Sequence, residues 1–86
     1  MKKLSPFGKF VRSHRIYQDK TLDEMARYIK VSSTFLSSVE HGNRNVNDKI
    51  LDGAIEFLDL LGPQIAEIEE AAFASGKKFT LVPVQD

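Results

Sequence analysis

The 86-residue chain reads as an all-α fold of five short helices followed by one short C-terminal β-strand. Three observations predict this. Helix-start signals recur, each followed by apolar residues at three- and four-residue spacing. Glycines at 42, 62 and 76 punctuate the pattern. From Lys78 onward the period changes from that of a helix to that of a strand.

The elements follow in order. Ser5-Pro6 sets a hydroxyl cap before a proline at the first helical position. Phe7, Phe10, Val11 and His14 then keep helical spacing, so the first helix is expected over about 6–17. Thr21-Leu22-Asp23-Glu24 is a capping box, in which Thr21 and Glu24 satisfy each other's backbone amides. Leu22, Met25, Ala26 and Ile29 line one face of a short second helix that ends near Lys30. Ser32 caps the third, whose buried stripe is Phe35, Leu36 and Val39, and Gly42 stops it. The fourth is expected over about 48–60, with Ile50, Leu51, Ala54, Ile55 and Leu58 inward. Gly62-Pro63 breaks the chain and starts the fifth, packed through Ile65, Ile68, Ala72 and Phe73 and ended by Gly76.

The closing run Lys78-Phe79-Thr80-Leu81-Val82-Pro83-Val84 is rich in β-formers. Pro83 assigns it to an edge, and the sequence offers no second strand to pair with it. A lone strand invites pairing with another chain. Phe79, Thr80, Leu81, Val82 and Val84 are therefore expected to form a homodimer interface, helped by the fifth helix. Residues 1–61 are expected to be the working core and 62–86 the dimerisation region.

Net charge is zero, but its distribution is uneven. Residues 1–49 hold ten Lys/Arg against five Asp/Glu, and residues 50–86 hold two against seven. The basic half suits a polyanionic partner and the acidic half would stay clear of it; two unrelated solvated surfaces are the plainer alternative. There is no cysteine, which excludes a disulfide framework and a thiolate metal site. No apolar run approaches a membrane span, and Lys2-Lys3 is not followed by the apolar stretch of a signal peptide. The expectation is a soluble cytoplasmic protein without membrane, metal or cofactor.

Enzymatic chemistry finds no footing. His14 and His41 are the only histidines, and neither sits in a ligand or nucleophile arrangement. His14 lies along the apolar side of the first helix. His41 is near a helix C-terminus, where an imidazolium suits the dipole and could face a phosphate. Glu69 and Glu70 are adjacent on a helix and splay apart.

The second and third helices are short and separated by about three residues, the spacing of a helix-turn-helix. The outer face of the third carries Ser33, Thr34, Ser37 and Ser38, which are middling helix formers. A solvated face usually carries Glu, Lys and Gln. Short hydroxyl side chains let a helix approach a groove floor, where they donate and accept and a threonine methyl meets a thymine methyl. An ordinary polar surface is the competing reading.

Three motifs then give a specific match. They are Phe7-Gly8-Lys9-Phe10-Val11-Arg12 with Arg15, Thr21-Leu22-Asp23-Glu24-Met25-Ala26, and Val31-Ser32-x-x-Phe35-Leu36-Ser37-x-Val39-Glu40-x-Gly42-x-Arg44. Together they resemble the lambda-repressor-like (Xre/Cro/CI-type) family of helix-turn-helix transcriptional regulators over about residues 5–60. The resemblance implies four or five helices with the third in the DNA major groove, and a dimeric repressor of a kind often encoded by phages. It implies base contacts from Ser33, Thr34, Ser37 and Ser38, and phosphate contacts from Thr21, Asn43, Arg44 and Asn45; beside these, Lys30 and Lys49 are expected as further phosphate ligands of this chain's own. It also implies a partly buried salt bridge between Arg15 and Glu40.

Three positions depart from the family pattern. Lys30 stands where glycine is usual, so the turn must take a conformation that a β-carbon tolerates. Leu22 stands where many members carry a DNA-contacting glutamine, and Asn47 where proline is common. The expected function is an autoregulatory repressor binding a palindromic operator on double-stranded DNA as a homodimer. The alternatives are an antitoxin that binds both its operator and a toxin, and a protein-interaction module of the same fold without DNA binding.

Overall fold

The structure is a computed structural model that describes residues 3–75. Within them the chain forms five helices and no strand: α1 (Pro6–Tyr17), α2 (Leu22–Ile29), α3 (Ser33–Glu40), α4 (Asp48–Phe57) and α5 (Gly62–Ala74). The expected strand residues Phe79, Thr80, Leu81, Val82 and Val84 lie outside the described residues.

Local hydrogen bonding explains the helix starts. The side chains of Ser5, Thr21, Ser32 and Asn47 accept from the amides of Gly8, Glu24, Phe35 and Ile50 at 2.8–3.1 Å. The Thr21 amide donates in return to Glu24 Oε1 at 2.8 Å, which completes the capping box. At the start of α5 only half of such a box exists: the Leu61 amide donates to Gln64 Oε1 at 3.1 Å, since Leu61 has no side-chain acceptor.

The ends of α1 to α4 share one device. Asp19, Lys30, Gly42 and Asp59 each take a positive φ of 54–81°. The amide of the following residue then reaches back five positions, from Lys20 to Arg15, Val31 to Ala26, Asn43 to Ser38 and Leu60 to Ile55, as in the Schellman motif. This stops α4 at Phe57, three residues before the expected boundary at Leu60. Leu60 is buried all the same, because the residue after the reversed one folds its apolar side chain back onto the helix.

α1 packs on α5 and α3, α2 on α3 and α4, and α4 on α5. Phe7, Val11, Met25, Leu36, Val39, Val46, Ile50, Ala54, Leu58, Ile68 and Ala72 form one continuous core, nearly free of solvent contact. Each large aliphatic or aromatic member contributes about 1.5–3 kcal/mol by its burial. Because Ile68 and Ala72 belong to that core, α5 is part of the same packed body. Phe73, expected to be packed, is instead 57% exposed: Ile68 and Ala72 set the buried line of α5 and Phe73 falls outside it. No helix among the described residues is long and apolar enough to cross a membrane.

Candidate nucleic-acid interface

α3 has two faces with opposite chemistry. Its inner face holds Leu36, Val39 and Glu40. Arg15 of α1 meets the Glu40 carboxylate in a forked ion pair: Nη2 donates to Oε1 at 3.2 Å and Nη1 to Oε2. The side chains are 7% and 4% exposed, so both charges are spent on each other and neither can reach DNA. The backbone around them is equally committed. The amide and hydroxyl of Ser5 both donate to the Glu40 carbonyl, at 2.8 and 3.0 Å. A β-carbon on Gly8 would stand 2.0 Å from that same carbonyl oxygen, so α1 lies against the end of α3 only because residue 8 has none.

The turn into α3 is residues 30–32. Lys30 has φ 71° and ψ 46°, so the turn keeps the left-handed geometry for which glycine is usual and places a side chain in it. That region is open to L-residues at a cost of about 1 kcal/mol. The Lys49 ammonium, at the start of α4, donates to the carbonyl of Lys30 at 3.5 Å.

The outer face of α3 forms an open cleft of about 420 Å³, lined by Leu22, Ser33, Thr34, Ser37, Ser38, His41 and Asn43. All four hydroxyl residues singled out from the sequence thus share one surface, together with Asn43. Ser33 donates its hydroxyl to the Asp23 carboxylate of α2, which holds its rotamer and leaves the oxygen able only to accept. Thr34 is exposed and Ser37 and Ser38 are half-buried. The other loop candidates lie outside the cleft. The Arg44 guanidinium sits over the Phe35 ring, 5.2 Å from its centroid, a cation–π contact that orders the side chain at the protein surface. Asn45 is exposed beside it.

Thr21 is less suited to an anion. Its amide and one hydroxyl lone pair are used in the capping box, and Asp23 and Glu24 put negative charge in the same turn. Only its hydroxyl hydrogen remains for a phosphate.

Two further residues line the cleft: Leu22, which is not expected to touch DNA, and His41, for which the sequence reading allows a phosphate contact. Leu22 supplies the apolar wall. His41 continues the spacing 34, 37, 38, 41 and so falls on the same helical face, a periodicity already readable in the sequence. Its Nδ1 lies 2.9 Å from the carbonyl of Ser37. His14, the other histidine, stacks on Phe10 with ring centroids 4.3 Å apart and bonds the Phe10 carbonyl through Nδ1 at 3.0 Å, and it does not line the cleft.

Two polar contacts tie α4 to its neighbours. Lys20 donates to the Phe57 carbonyl at 2.6 Å and lies over the Phe57 ring. Tyr28 donates to Glu56 at 3.1 Å; that hydrogen bond first, and the carboxylate charge second, raise the phenol above its ordinary pKa. Among the described residues, no group of three or more His, Cys, Asp or Glu could hold a metal ion.

Compared with protein-family models, curated proteins and solved structures, the chain finds no match in any of the three.

Proposed function

We propose that the chain is a sequence-specific DNA-binding transcriptional repressor with a lambda-repressor-like helix-turn-helix, autoregulatory and acting as a homodimer on a palindromic operator. The observation that carries this reading is the outer face of α3. It is a concave surface of short donors and acceptors with no carboxylate among its lining residues, on a helix anchored from behind by a buried ion pair. A helix of this kind fits the major groove, and hydroxyl and amide side chains read base edges there. Arg44, Asn45, Lys30 and Lys49, all exposed, are the phosphate ligands in this reading. Dimerisation through residues 79–84 rests on the sequence pattern alone.

Binding to duplexes selected from a random pool should fall steeply with salt. Arg44→Ala should weaken all sequences about equally and lower the salt slope by about one. Thr34→Ala or Ser37→Ala should relax preference at one operator position, by about 1–3 kcal/mol for a good contact. Truncation after Gly76 should leave a folded monomer by light scattering that has lost palindrome binding. Absence of binding to any duplex at low salt would overturn the reading in favour of an interaction module.

A second reading, the antitoxin, draws on a different observation. Ile16, Tyr17 and Leu61 are 67–90% exposed on α1 and the turn before α5, away from the cleft, and apolar side chains left in water suit a protein partner. A neighbouring small protein retained on the tagged chain, with operator binding intact, would favour it.

A further inference from the structure

Among the residues lining the α3 cleft, His41 is the only one with an imidazole. We propose that His41 is a proton-dependent phosphate ligand, so that this chain binds DNA more tightly as pH falls; the proposal rests on the DNA-binding reading of the cleft.

The argument starts from the ring's own hydrogen bond. Nδ1 lies 2.9 Å from the Ser37 carbonyl oxygen. A carbonyl can only accept, so Nδ1 carries the hydrogen. The Ser37 hydroxyl, 3.5 Å from the same nitrogen, adds no stronger claim on it. In the neutral ring, therefore, Nε2 holds a bare lone pair, and no described residue bonds to it. A lone pair facing a phosphate oxygen is repelled. Protonation turns Nε2 into a charged donor, and the contact becomes a charge-assisted hydrogen bond. The position suits a phosphate contact: His41 is the C-cap of α3, and it precedes the Asn43–Asn45 loop assigned to phosphates.

The charged groups of the elements around α3 are otherwise engaged or outside the cleft. On α2, Asp23 bonds Ser33 and Glu24 bonds Thr21, while Arg27 does not line the cleft. On α1, Arg15 is paired with Glu40 of α3 itself, and Lys9 and Arg12 do not line the cleft either. Arg44 lies on Phe35. A proton-linked change in binding between pH 8 and pH 6 is thus traced to one side chain.

The experiment measures operator affinity at fixed salt from pH 8 to pH 6 for the wild-type chain, His41→Gln and His14→Gln. Glutamine keeps a neutral donor and does not titrate. The wild type and His14→Gln should bind at least about fivefold more tightly at the acid end, and His41→Gln should show no such trend. Calorimetry of the wild type at pH 7 in buffers of different ionisation enthalpy should show proton uptake on binding. A pH trend in His41→Gln equal to the wild type's, or no proton uptake by the wild type, overturns the inference and leaves DNA binding standing. Absence of binding at every pH overturns both.

Discussion

The two faces of α3 use the same kinds of atom to opposite ends. On the inner face every polar group has a partner within the chain: Arg15 with Glu40, and Ser5 with the Glu40 carbonyl. On the outer face Thr34 and Ser38 have no side-chain hydrogen bond to another described residue, and His41 keeps Nε2 unbonded. A polar group that the fold has already satisfied holds the fold together. One placed at a concave surface and left unsatisfied is available to a ligand. Burial makes the difference large. An inner group stripped of its partner has no water to turn to, while an outer one exchanges protein for solvent at little loss.

The contrast sets the scale of three substitutions. The largest effect is expected for Arg15→Met or Glu40→Gln alone, which leave a charge or polar group unpaired in the core. Chemical denaturation should show a loss of about 3–5 kcal/mol for either, and the double replacement Arg15→Met/Glu40→Met should recover a good part of it. If each single variant lost less than about 1 kcal/mol, the pair would be behaving as a surface bridge.

The next is Gly8→Ala. Alanine is the better helix former by about 1 kcal/mol, yet the new methyl would meet the Glu40 backbone, which cannot swing aside. The clash should win, with a net destabilisation on the order of 2–3 kcal/mol in the same unfolding experiment. A stabilised variant would mean that α1 can withdraw from α3 freely.

The smallest is Lys30→Gly, which relieves the left-handed strain but gives up some chain stiffness in the unfolded state. A gain below about 1 kcal/mol is expected, together with weaker DNA binding if the Lys30 ammonium meets a phosphate. A lower melting temperature would show that the lysine side chain contributes more than its backbone strain costs.

What the sequence disclosed is what local chemistry decides. The Ser5, Thr21 and Ser32 caps needed only residues three positions apart, and the bounds of α1 followed from them. The hydroxyl face of α3 was legible because helical periodicity alone puts 33, 34, 37 and 38 together. What stayed hidden depends on neighbours distant in the chain. Nothing near Gly8 announces that the end of α3 will lie on it, and Gly53, whose β-carbon would stand 2.6 Å from Ile29 Cγ1, is equally silent. Asp59 ends α4 in a conformation usually signalled by glycine, so the boundary read from apolar spacing ran long. Phe73 fits an apolar stripe, but only the packing on α1 and α4 decides which edge of that stripe is covered.

The helix ends also bind one another. The Phe7 amide at the start of α1 donates to Ser75 Oγ, just past α5. Ser5 closes the end of α3. Gln18 and Lys20, between α1 and α2, donate to the carbonyls of Leu58 and Phe57 at the end of α4. In an isolated helix these termini would fray first. Here, opening one releases a partner at another, 35 to 68 residues away in the chain. Local fluctuation is thereby converted into a collective event: amide protons at these termini should exchange with solvent at rates set by unfolding of the whole domain.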